Sequence, residues 1–274
     1  MIDIVTVVFE EELPVLRLQA QSIELYCQDI GVESIYVIVN DADSLALQID
    51  PAWWGNMSDR VRVVPRSQFG CKFVDNGWVS QQALKLIACN LVTNPWYTVL
   101  DAKTIFVRPL LLSDLFKDNQ IQVGQLPIYP VFEPSRQITN RLFGIDLMRQ
   151  AGPGGVPFFF NTNDARAMIT YIESKVRQNF AEWFQAQGML TEFILYSGWI
   201  EYRHSMDSYY SKNSFFTVCN MCHNETGIAD QKLQQMSAPS NLTVSIHRRA
   251  WEQLDAKQTY RDFLSSRSIT TPLI

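Results

Sequence analysis

Chemistry concentrates in the segment Trp96-Tyr-Thr-Val-Leu-Asp101-Ala-Lys103-Thr-Ile-Phe-Val-Arg108-Pro109. An apolar strand over Tyr97–Leu100 delivers the Asp101 carboxylate to its end. Lys103, two positions on, projects to the same side because side chains alternate along an extended chain. A fixed ammonium can neutralise an anionic ligand, and a carboxylate can ligate a hard cation. A second carboxylate, Glu192, falls in the first turn of a helix that starts near Thr191, with Tyr196 and Trp199 on the same face. The field of a helix start lowers the pKa of such a group, so Glu192 is expected to stay ionised and able to accept a proton. On another helical stretch Trp78, Gln82, Lys85 and Cys89 recur at i, i+4, i+7 and i+11 and share a face. By pattern alone a Gln/Lys pair on such a face reads more readily as a solvated surface.

These residues need a frame, and the first half of the chain supplies one. Ile2–Phe9 is a continuous apolar run typical of a strand buried on both faces. Glu10–Gln28 has helical spacing, Ile35–Val39 and Val61–Val64 read as further strands, and Trp78–Val92 is helical again. Such alternation implies a mostly parallel sheet covered by helices on both faces. In the second half, Ala151–Pro157 reads as a loop, and a helix follows, capped by Asn163 or Asp164 and running to about Gln178. Phe215–Cys219 and Leu242–Ile246 read as late strands, and Arg249–Leu264 as a terminal amphipathic helix. No internal repeat or low-complexity linker appears, so one domain over residues 1–274 is expected, with a first half to about 125 and an elaborated second half from 126.

In an open α/β sheet ligands gather outside the carboxyl ends of the strands. That rule adds Thr6 to Glu10 after the first strand, Asn40-Asp41-Ala-Asp43 after the second, and His247 after Ile246. Each has a plainer reading as well: Thr6 as a buried strand threonine, and Asp41 and Asp43 as turn formers. Pro157-Phe158-Phe159-Phe160 could wall a ligand pocket, but reads more readily as core or loop packing.

Composition narrows the partners. Apolar residues make up 47% and charged residues 19%, which suits a large core and excludes a disordered chain. The formal charge of −5, with no Lys/Arg-rich run, argues against nucleic acid. The opening residues lack a signal-peptide pattern, and no apolar run approaches the roughly 18–20 residues of a transmembrane segment. A cytoplasmic location is expected, and a peripheral place at the inner membrane face stays open. Five cysteines argue against a disulfide framework. Cys219-Asn-Met-Cys222-His223 has haem-attachment spacing, but attachment requires export, and a zinc site would need more ligands than lie nearby.

The strand ending in Leu100-Asp101-Ala-Lys103, followed by an apolar stretch and Arg108-Pro109, resembles the GT-A-type glycosyltransferases, the nucleotide-diphospho-sugar transferases. A little-characterised bacterial family of such proteins is similar also at Gly77-Trp78-Val-Ser-Gln-Gln82-Ala-Leu-Lys85-Leu, Thr191–Tyr196 and Ser245-Ile-His247-Arg248. The resemblance implies a GT-A-like, Rossmann-like α/β fold. It also implies transfer of a sugar from a nucleotide-activated donor to a glycan or other hydroxyl acceptor, in surface polysaccharide synthesis. On it, Asp101 and Glu192 would be catalytic. Thr6, Asp41, Gln82, Lys85, Lys103 and Arg108 would face the donor, and Tyr196 and Trp199 would stack on the acceptor. One departure is plain: the family's second aspartate is Lys103 here. Either the ammonium replaces the Mn²⁺ or Mg²⁺ that two carboxylates would hold, or Asp101 and His247 hold the metal between them. A catalytically inactive nucleotide-sugar or glycan-binding domain of the same fold is the alternative.

Overall fold

The computed structural model describes residues 1–118, 120–152, 155–254 and 258–270, without the side chains of Asp114 and His223. Its central sheet is built from β1 (Ile2–Val8), β2 (Val32–Val39), β3 (Val61–Pro65) and β4 (Trp96–Asp101), all parallel. An antiparallel edge strand follows from β5 of a second sheet onward in the chain, so the numbering runs β5 (Thr104–Phe106), β6 (Phe158–Asn161), β7 (Thr217–Met221) and β8 (Asn241–Ile246). The central order is β6-β4-β1-β2-β3, and the smaller sheet has the order β7-β8-β5. All seven residues of β1 are buried. Neither face of the central strand meets water, as a parallel sheet requires.

Helices α1 (Leu13–Tyr26), α2 (Gly77–Ile87), α3 (Glu133–Phe143), α4 (Thr162–Val176), α5 (Phe180–Ala186) and α6 (Glu192–Arg203) surround this frame. One side of α1 packs Leu16, Ala20 and Ile23 into the main core. Its other side gives Val15 and Leu18 to a second apolar cluster around Ile105, Val244, Ile246 and Phe263. A single helix therefore joins the two sheets. Among the described residues no helix is long and apolar enough to cross a membrane.

The expected α/β architecture is present, with local corrections. Phe158–Asn161 is a strand paired antiparallel to β4, not a loop or a pocket wall. Three consecutive phenylalanines fit there because both faces of that edge are buried. Asn161, not Asn163 or Asp164, caps α4 by accepting from the backbone N–H groups of Asn163 and Asp164. Strand β7 begins at Thr217, two residues later than its apolar start predicts. Of the expected terminal helix, Arg248–Leu254 and Gln258–Ser265 are helical, and residues 255–257 lie outside the described residues. Of the predicted loop, Pro153 and Gly154 lie outside the described residues.

At the amino end of β1 the buried Asp3 carboxylate accepts from Ser34 N, Thr93 N, Asn94 N and Asn94 Nδ2, joining β1, β2 and the approach to β4. Removing it strands several donors at once. Asp3→Ala is expected to lower stability by about 2 kcal/mol or more, measured as a shift in the urea unfolding midpoint without a change in slope.

Candidate active site

The carboxyl ends of β1 and β4 lie side by side, with Val7 opposite Asp101. After Asp101 the chain turns sharply and re-enters as β5, which pairs antiparallel with β8 so that Thr104 faces Ser245. This register sets Lys103, just before β5, beside His247, just after β8. A buried staple holds the turn. Gln19 of α1 donates to the carbonyls of Asp101 (2.7 Å) and Thr104 (3.0 Å), while its own oxygen accepts from Thr6 Oγ1 (2.8 Å).

Four charged side chains alternate from the turn inward. Lys103 Nζ is 3.1 Å from Asp101 Oδ2, Lys85 Nζ is 2.7 Å from Asp101 Oδ1, and Lys85 Nζ is 3.1 Å from Glu192 Oε1. The Lys85 and Glu192 side chains are almost wholly buried, whereas the Lys103 side chain is 26% exposed. Gln82, one turn before Lys85, completes the floor. Its amide nitrogen donates to Glu192 and its oxygen accepts from Trp78 Nε1 at 3.1 Å. Asn40, at the end of β2, donates to Gly77 O and Ser80 Oγ and so fixes the start of α2. A Cβ at Gly77 would come within 2.6 Å of the Phe9 ring, so any larger residue there would have to displace that ring.

Charge states follow from this packing. Burial would raise the Asp101 carboxyl, but Lys85 and Lys103 overcome it and hold the group well below the usual carboxylate range. Burial would likewise lower the Lys85 ammonium, but its two carboxylate partners keep it charged and raise it. Glu192 is raised by burial, against the opposing pull of Lys85. This reverses the expected direction: the helix-start field is outweighed by loss of water.

Above the turn opens a cavity of about 300 Å³ lined by Phe9, Glu12, Trp78, Gln81, Lys103, His247 and Arg248. Glu12 is its least expected member. Burial, with Asp101 adding to it and Lys103 opposing, pushes its carboxyl up to about 7. Arg248 pairs with Glu11 on the rim, and His247 Nδ1 accepts from Arg249 N at 3.3 Å.

The structure thus brings Gln82, Lys85, Asp101, Lys103, Glu192 and His247 to one end of the sheet. The remaining expected residues stand outside this cluster, although Asp41 follows β2 at the same end of the sheet. Thr6 is fully buried and its hydroxyl is used by Gln19, so it acts only through the staple. Asp41 accepts from Glu10 N at 2.7 Å and caps the loop after β1, and Asp43 accepts from Ser67. Arg108 lies past the far end of β5, with its guanidinium 5.7 Å from the Phe215 ring. Tyr196 is buried, with its hydroxyl accepting from Asn161 N and its ring against Phe158 and Phe160. Trp199 is buried among Phe143, Tyr171 and Tyr202. Both aromatics are packed in the core and leave no face open to solvent.

A divalent cation would need oxygens free to coordinate it. Both Asp101 oxygens hold ammonium groups, and among the described residues no group of three or more His, Cys, Asp or Glu side chains is arranged to hold a metal ion. The Asp101–His247 pair is a poor fit for Mn²⁺ or Mg²⁺ with Lys103 between the strand end and the cavity.

Residues 6–239 of the sequence match the family of unknown function DUF6492. The chain belongs to that family. No curated protein matches the sequence. The fold of this DUF6492 member is similar to that of the galactosyltransferase LgtC, solved in complex with donor and acceptor sugar analogues. The TM-score is 0.52 at 13% identity, over 100% of this chain and 98% of that one. The glycosyltransferase GlyE of Streptococcus pneumoniae TIGR4 aligns at a TM-score of 0.46 and 14% identity, over 99% of this chain and 66% of that one. The DUF6492 chain therefore has a GT-A glycosyltransferase fold, a statement that rests on LgtC.

Two expected outcomes follow. Lys85→Met leaves two carboxylates without their shared cation, and should cost about 3–5 kcal/mol of stability in urea unfolding. Adding Glu192→Gln to it should restore part of that loss. Glu12 is neutral below about pH 7 and anionic above, so pyrophosphate should bind the cavity more tightly at pH 6 than at pH 8 by roughly five-fold, the scale of one screened unit charge. Titration calorimetry of wild type against Glu12→Gln isolates this term, since the variant should lose that part of the pH dependence.

Proposed function

We propose that this protein transfers a sugar from a nucleotide-activated donor to a hydroxyl acceptor on a glycan or related compound. The observation that carries the reading is the chain Lys103–Asp101–Lys85–Glu192 beneath a cavity at the carboxyl ends of β1 and β4. The GT-A fold makes that edge the natural ligand side.

In this reading the donor's diphosphate lies against Lys103, with Arg248 on the opposite wall. When the bond from the sugar to the phosphate breaks, negative charge grows on the leaving oxygen. A preorganised ammonium stabilises that charge without having to reorganise. Asp101 holds Lys103 in place from below, and Lys85 holds Asp101. Because both Asp101 oxygens are engaged by ammonium groups, the lysine takes the role that a divalent cation has where a second aspartate is present. Glu192, raised by burial, is matched to accept the proton of the incoming hydroxyl in a reaction that inverts the sugar centre. Most of the catalysis is alignment of the two substrates.

The test is a thermal-shift panel of UDP, GDP, CDP and CMP, each with EDTA or with Mn²⁺. At least one diphosphate should stabilise the protein equally under both conditions. Lys103→Ala should weaken that nucleotide more than tenfold, about 1.4 kcal/mol. Slow release of free sugar from the matching donor would separate a transferase from an inert binder. If no nucleotide shifts the protein, or if Lys103→Ala binds as well as wild type, the reading is wrong.

A further inference from the structure

On the side of Trp78 that carries Gln82 lies a second, smaller cavity of about 100 Å³. Trp78, Gln82, Phe132, Gln150, Glu192 and Phe193 frame it, and Trp78 lines the phosphate-side cavity as well. The indole, 41% exposed, thus stands as a partition between the two.

Its walls are fixed. The Trp78 N–H is held by Gln82. Phe193 stacks on Phe158 with ring centres 4.4 Å apart. The turn carrying Phe132 leads into α3, whose Ser135 hydroxyl accepts from Thr191 N at 3.0 Å and so ties it to the start of α6. One group in this rigid setting is left over. Gln150 is only 3% exposed, it lines the cavity, and its side-chain amide makes no hydrogen bond with any described residue. Its amide atoms keep some access to solvent, and the cavity they line is where a ligand hydroxyl would meet them.

The lining selects a chemical class. Three aromatic side chains line it, Trp78 the most exposed of them, and such a ring suits the C–H face of a sugar, while an amide plus a carboxylate suit its hydroxyl rim. With a carboxylate and no Lys or Arg in the lining, an anion is disfavoured. The cavity is half-open and holds part of one ring, not an extended chain. We propose that this cavity is a subsite for the acceptor, taking a single neutral pyranose with its face against Trp78 and its hydroxyls on Gln150 and Glu192. The assignment rests on the transferase reading only in calling the occupant the acceptor. It replaces the expected stacking residues Tyr196 and Trp199, which are buried elsewhere.

Protein labelled with 5-fluorotryptophan provides the test, with the Trp78 fluorine resonance assigned through Trp78→Phe. Methyl glycosides of glucose, galactose, mannose and N-acetylglucosamine are titrated in, with glycerol as control. At least one glycoside should move the Trp78 resonance saturably while glycerol does not. Gln150→Leu, and independently Phe132→Ala, should weaken that binding at least tenfold. The proposal is overturned if no glycoside moves the resonance, or if both variants, folded by near-ultraviolet circular dichroism, bind as well as wild type. The nucleotide panel is read separately. Nucleotide binding without glycoside binding sinks the subsite alone, whereas glycoside binding without nucleotide binding supports a sugar pocket and removes its role as an acceptor site.

Discussion

A single buried ammonium organises this molecule. Lys85 projects from α2 between a carboxylate at the end of β4 and another at the start of α6. Withdrawing a charge from water is expensive, and only close, well-oriented partners offset it. The arrangement therefore fixes three elements against one another more sharply than apolar packing would, since a shift of any one leaves a bare charge. Apolar contacts tolerate sliding; this one does not.

The same constraint reaches the solvent edge. Asp101 is shared between Lys85 inside and Lys103 outside, so the exposed lysine is anchored through a carboxylate to the core. Its backbone is anchored independently by Gln19. Side chain and main chain of one turn are thus held by separate devices. A site that presents a positive charge at a fixed point benefits from both.

Much of the frame was legible in the sequence because buried parallel strands announce themselves as unbroken apolar runs, as in Ile2–Phe9. Asp101, Lys103 and His247 were legible from strand ends and Glu192 from a helix start, whereas Gln82 and Lys85 came only through the family resemblance, their helix face alone reading as surface. What failed did so for identifiable reasons. Tyr196 and Trp199 share a helical face with Glu192, but the face turns from cavity to core within a turn, and periodicity carries no depth. Thr6 sits at a strand end yet is spent on Gln19. Glu12 is hidden in a run of three glutamates that differ only in how the turn after β1 orients them. Gln19 carried a usable signal, a polar side chain within the apolar stripe of Leu16, Ala20 and Ile23, since buried polar groups almost always have partners. Gln150 had none, because nothing local distinguishes it from a surface glutamine.

The hydrogen bond between Thr104 and Ser245 spans 141 positions of the chain. That pairing seats His247 and Arg248 opposite Lys103, and both lie beyond the segment that matches the family. Closing so long a loop carries an entropic cost that only the completed fold repays. During synthesis the Asp101–Lys103 turn emerges well before its opposite wall exists. The hollow above that turn is consequently among the last features to take shape.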